Sequence, residues 1–181
     1  MRRRLVWLAL AVVAVVVVLA VVAVLTTQPD LSDHRDQVDR AWTPLRVPLV
    51  ARYQALGGVL QALDGAGAQG RTVTKDLAAT LARWERLASV DDPATQAPLA
   101  NDLEGLAARV QANVSASDRL NASTSVKAAL QAFHTAVVSP PAVAAYNRAV
   151  RGYQRARTGT IRGPVADILG FDARPQLVLG S

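Results

Sequence analysis

The chain has 181 residues, is 51% hydrophobic but only 4% aromatic, and carries a formal net charge of +6. It has no cysteine, which excludes disulfides, thiolate metal sites and thiol catalysis. Three of its 20 basic residues are Arg2, Arg3 and Arg4, so much of the positive balance is a leader signal and makes no case for nucleic acid.

Directly behind those arginines, residues 5–25 read LVWLALAVVAVVVVLAVVAVL, without a charge, polar group, Gly or Pro. As a helix this run spans about 31 Å, close to the roughly 30 Å of a bilayer core. It exceeds the apolar region of a signal peptide, and Val24-Leu25-Thr26-Thr27-Gln28 offers no Ala-x-Ala cleavage site. The reading is a single-pass, uncleaved anchor in residues 1–27 followed by one domain in residues 28–181. The basic leader places the amino terminus in the cytoplasm and the domain on the outer side of the cell membrane.

In the domain, Val38, Trp42, Leu45, Leu49, Tyr53, Leu56, Leu60 and Leu63 alternate spacings of four and three. This is a coiled-coil seam, with Asp30 and Ser32 as capping candidates at its start. Pro44 and Pro48 predict a bend or break near Thr43 to Val47. Gly65, Gly67 and Gly70 end the helix, without the Lys-Ser/Thr of a phosphate loop.

A second helix is predicted over Thr74 to Ala88 through Leu77, Leu81 and Trp84, closed by Asp91-Asp92-Pro93. The third begins near Thr95 and carries Leu99, Leu103, Leu106, Val110 and Val114. Polar residues from Ser115 to Ser125 interrupt the pattern, which resumes at Val126, Leu130, Phe133 and Val137. After Ser139-Pro140-Pro141, a last helix holds Val143, Tyr146, Val150 and Tyr153 and stops at Thr158-Gly159. No useful β-alternation appears, so the expected fold class is all-α: an antiparallel helical bundle behind one membrane helix.

Several segments resemble LemA proteins. Val38-Asp39-Arg40-Ala41-Trp42 with Leu49, Arg52-Tyr53 and Leu56 is similar to that family's first soluble helix. Ala145-Tyr146-Asn147-Arg148-Ala149-Val150-Arg151-Gly152-Tyr153 resembles its Tyr-Asn-x-x-Val-x-x-Tyr-Asn segment, with Gln154 in place of the final Asn. Pro164-Val165-Ala166-Asp167-Ile168-Leu169-Gly170-Phe171 is similar to its terminal Ala-x-x-Leu-Gly-Phe motif. The resemblance spans most of residues 30 to 177 and implies a four-helix bundle of up-and-down topology. It also implies an amino terminus outside the cell, opposite to the charge argument, and it leaves the biochemical role open.

Among candidate functional residues, Arg148, Arg151, Arg155, Arg157 and Arg162 form a run with no acid between them, and the first three share one helical stripe. Such a stripe suits anionic lipid or an envelope polymer, or is a solvated face suited to the helix dipole. Nucleic acid is not expected, because neither exposed stacking aromatics nor a binding motif accompanies it. Tyr146, Asn147 and Tyr153 read as a structural polar cluster that fixes register. His34 beside Asp30 and Asp33 falls short of a metal site, and His134 has no acidic neighbour in sequence. No catalytic constellation or cofactor motif is found. The expectation is a non-enzymatic membrane protein acting as a scaffold for envelope protein partners, or else a module for anionic surfaces.

Overall fold

The computed structural model describes the backbone of residues 2–90, 92–159 and 162–180, and the side chains of residues 28–90, 92–159 and 162–180. Its described residues contain helices and no strand. The elements are α1 (Arg2–Gly65), α2 (Thr72–Leu87), α3 (Pro93–Ser115), α4 (Asp118–Ala122), α5 (Thr124–Thr135), α6 (Pro140–Arg157) and α7 (Arg162–Ile168). The protein is all-α. The expected membrane anchor, the apolar run 5–25, lies outside the residues described with their side chains, and among the residues so described no helix is long and apolar enough to cross a membrane.

The seam predicted for α1 is the spine of the core. Val38, Trp42, Leu45, Leu49, Tyr53, Leu56 and Leu63 are buried, and Leu60 is half-buried beside buried Val59. Two expectations about α1 are corrected. Asp30 and Ser32 lie inside the helix and do not cap it, and the helix continues through Pro44 and Pro48 without a break. Both prolines avoid the buried seam: Pro44 is exposed and Pro48 half-buried. The carbonyls they leave without an N–H donor, those of Arg40 and Pro44, belong to exposed residues.

The other helices take their places from aromatic and polar contacts with α1. Trp84 of α2 meets Tyr53 edge-on, ring centroids 4.7 Å apart. Trp42 donates its indole N–H to Gln96 Oε1 at 3.0 Å, and Gln96 Nε2 donates to Leu87 O at 2.7 Å, a buried bridge from α1 through α3 to the end of α2. Tyr53 donates to Ala100 O at 3.1 Å. Its phenol is pushed well above the ordinary tyrosine value by burial and by the nearby Glu104 carboxylate. Asp92 caps α3, accepting from Ala94 N, with Pro93 opening the helix.

α5 and α6 together lie along α1 in the opposite direction. Gly152 faces His34, Tyr146 meets Trp42 at a tilt with ring centroids 5.0 Å apart, and Arg52 reaches Phe133 and Ala136. The joint between them, Ala136 to Ser139, turns Val138 into the core and leaves Val137 67% exposed, the reverse of the burial expected for Val137. α7 was not foreseen. It sits at the end of α6, tied by the Arg157–Asp167 ion pair and by Arg162 to Asp30 at 3.0 Å.

Candidate functional site

α2 packs on α3, and α1 on α5 and α6, but α3 and α6 have few direct contacts. The gap between them is filled by residues 172–180, which follow α7 and belong to no helix. This strap runs antiparallel to α6 and parallel to α3. Its burial alternates: Leu177 is 1% exposed and Leu179 half-buried, while Gln176, Val178 and Gly180 are exposed. A period of two is that of an extended chain, which has no neighbour strand to complete its hydrogen bonds.

Side chains supply those bonds from both flanks. Asn147 on α6 accepts from Leu177 N–H at 2.8 Å and donates to Leu177 C=O at 2.8 Å. Asn101 on α3 donates to Gln176 C=O at 2.9 Å and accepts from Val178 N–H at 2.8 Å. In an extended peptide the N–H and C=O of one residue point to one side, and those of its neighbours point to the other. The two asparagines therefore read opposite edges of the same strand. Further along, Tyr146 donates to Pro175 C=O at 2.9 Å, Tyr153 to Asp172 C=O at 2.8 Å and Gln154 to Arg174 C=O at 3.0 Å. Burial raises both phenols above the ordinary tyrosine value, so both stay protonated as donors.

Charge fixes the two ends of the strap. At one end Arg174, 5% exposed, is bonded to Asp92 and lies 3.5 Å from Asp39 Oδ1. Burial pushes the Asp92 carboxyl up, but bonds from Arg174 and from the Ala94 N–H outweigh it and hold the group below its usual value. Asp39 moves the other way, raised by burial despite the Coulombic pull of Arg174 and Arg35.

At the other end Gly180 N–H donates to Glu104 Oε2 at 3.0 Å. Glu104 is paired with Arg52 through bonds of 2.6 and 2.9 Å, both side chains under a tenth exposed. Arg52 also donates to Ala136 C=O at 3.0 Å and lies over the Phe133 ring, 4.2 Å from its centroid. The hydrogen bond to Glu104 raises the Arg52 pKa above its already high value, so the guanidinium stays charged. Beyond it opens a depression of about 470 Å³, lined by Val137, Val138, Val143, Ala144 and Leu179 with Arg52, His134 and Asn147 at its polar edge.

The arginines singled out from sequence divide into two groups. Arg148, Arg151 and Arg155 are exposed on one face of α6, and Arg151 and Arg155 border a shallow groove of about 570 Å³ with Gln154, Thr158 and Gln176. Arg157 and Arg162 are drawn into ion pairs with Asp167 and Asp30, and Arg157 also donates to Phe171 C=O. The stripe therefore narrows to three residues. Tyr146, Asn147 and Tyr153 act together, as expected, but on the strap backbone and not on another helix. Sequence reasoning missed Asn101, Arg52, Glu104, Asp39, Asp92 and Arg174. The one readable signal for them was the apolar alternation Leu177-x-Leu179, too short to stand as a strand. Among the described residues, no three His, Asp or Glu side chains converge as a metal site. Comparison of the chain with protein-family models, curated proteins and solved structures finds no match.

Proposed function

We propose that this chain is a single-pass membrane protein of LemA type, whose outward-facing antiparallel four-helix bundle serves as a non-enzymatic adaptor for protein partners. The observation that carries the adaptor reading is the open apolar depression beside the α5–α6 joint, with Val137 67% exposed at its rim. Apolar surface left open to solvent is where a partner's apolar side chain gains most by burial. The ionisable groups around the strap support the same reading. Arg52, Glu104, Arg174 and Asp92 spend their bonding on the strap, the bundle and one another. The apolar run 5–25 supports the anchor.

The test is a photo-crosslinking residue placed at Val137 in the full chain, in its own membrane. Discrete adducts that are absent with the same probe at Arg83, an exposed α2 position, and lost on Val143→Glu are expected. Equal labelling from both positions refutes the adaptor reading. A Ser181→Cys variant, in a chain without other thiols, reports which side of the membrane holds the domain.

A second reading has its own observation: Arg148, Arg151 and Arg155 share one exposed face with no acid in the surrounding α6 sequence. That face is suited to anionic lipid or an envelope polymer. It predicts binding of the full chain to anionic vesicles that weakens with salt and is lost on reversing all three charges to Glu. Binding indifferent to both removes it.

A further inference from the structure

The strap satisfies its groove fully in the middle, and at each end, although held there by Arg174 and Gly180, it leaves one feature of the groove unmet. In the middle, Asn147 and Asn101 hold both edges of the backbone around buried Leu177. These contacts read an extended peptide and one apolar side chain, not a particular sequence. At the first end, two carboxylates face one guanidinium. Asp39 Oδ1 is buried and accepts no hydrogen bond, because Arg174 stops 3.5 Å away and Arg35 reaches only the other oxygen, at 3.9 Å. At the far end, the bond from Arg52 to Gly180 C=O is stretched to 3.4 Å, and Leu179 leaves about 470 Å³ unfilled against Val137, Val138, Val143 and Ala144.

We propose that the groove between α3 and α6 is a peptide-binding site, and that residues 172–180 are its resident competitor. The occupant it fits better is an extended segment of a partner protein. That segment carries a basic residue at the place of Arg174, a leucine-sized residue at the place of Leu177 and a large aromatic residue at the place of Leu179. Such a segment keeps every backbone bond the strap makes and adds apolar contact in the depression, where buried area strengthens binding. The strap of a second copy brings the same unfilled end and gains nothing over the resident one. The proposal rests on the adaptor reading and names the class of partner.

The test uses the full chain in detergent micelles and three labelled ten-residue peptides. One copies residues 171–180, one carries Leu179→Trp in that copy, and one carries Leu177→Asp. The Leu179→Trp peptide is expected to bind at least about fivefold more tightly than the copy, and the Leu177→Asp peptide not at all. Binding should strip hydrogen-exchange protection from the chain's own Leu177 amide. Weakening the resident strap with Leu177→Asp in the chain should raise affinity for the Leu179→Trp peptide by about tenfold or more. If that variant loses its helical circular dichroism, the wild-type comparison of the three peptides decides alone.

No binding of the Leu179→Trp peptide to folded chain overturns the proposal, as does binding that leaves the Leu177 amide protected. Strap exchange between two differently tagged copies, without a preference for the aromatic peptide, makes a second copy the occupant and overturns the partner assignment. Val137 crosslinking reads the adaptor function separately. Peptide binding without crosslinks leaves the groove standing and removes the adaptor, and crosslinks without peptide binding do the reverse.

Discussion

Replacing Asn147 by alanine removes two hydrogen bonds at once, both 2.8 Å long and both to Leu177. Leu177 is 1% exposed, so water cannot readily replace them. A typical bond contributes about 0.5–1.5 kcal/mol net, and an abandoned buried polar group costs about 1–3 kcal/mol. Asn101 still holds the other edge of the strap, which limits the loss. The expected destabilisation of Asn147→Ala is about 2–3 kcal/mol, or about 5–10 °C in Tm for a chain of this size. Urea and thermal unfolding of the full chain in detergent measure it. Asn147→Asp sharpens the test. Its carboxylate still accepts from Leu177 N–H but opposes Leu177 C=O, which raises its folded pKa. Stability should therefore be recovered at low pH, where the protonated acid donates, and lost as pH rises through that folded value. A loss under about 0.5 kcal/mol for Asn147→Ala, the range of ordinary surface changes, refutes the role given to this side chain.

Leu177→Ala should cost about 2–4 kcal/mol, whereas Val178→Ala, at a position 67% exposed, should stay within about 0.5 kcal/mol; denaturant midpoints compare them. Arg52→Ala leaves Glu104 charged and buried and should cost about 3–5 kcal/mol, while Arg52→Met with Glu104→Leu should cost less than that single change, read by the same unfolding curves. Asp92, held below the ordinary carboxyl value, contributes stability that is present above that ordinary value and lost as pH falls through the lower folded one; Asp92→Asn should flatten this acid limb in a pH series of unfolding midpoints. Asp39 has the opposite sign, so Asp39→Asn should be neutral or stabilising at neutral pH in the same series.

The legible part of the fold was whatever follows helical periodicity. Leu77, Leu81 and Trp84, the run Leu99 to Val114, and Tyr146, Val150 and Tyr153 lie in the core as their spacing required. The prolines of α1 misled because their cost depends on which face they occupy, and a single sequence reads that face only through its neighbours. The strap was invisible for a different reason. Its bonds run to side chains on α3 and α6, so it needs neither a partner strand nor a long alternating pattern. Asn101, Arg52 and Glu104 likewise sit beside apolar seams, where a polar residue reads as flanking solvent until the segment it binds is in place. Arg157 and Arg162 could not be separated from Arg148, Arg151 and Arg155, since their partners Asp167 on α7 and Asp30 on α1 lie 10 and 132 residues away along the chain.

The most direct test is residue-resolved amide hydrogen exchange across residues 172–180 of the full chain. Leu177, Val178 and Gly180 donate to Asn147, Asn101 and Glu104, whereas the Gln176 and Leu179 amides have no acceptor among the described residues. Slow exchange at 177, 178 and 180, interleaved with fast exchange at 176 and 179, is the predicted signature of a side-chain-bound extended strap. Uniformly fast exchange through the segment contradicts the account, because the seam between α3 and α6 would then stand open.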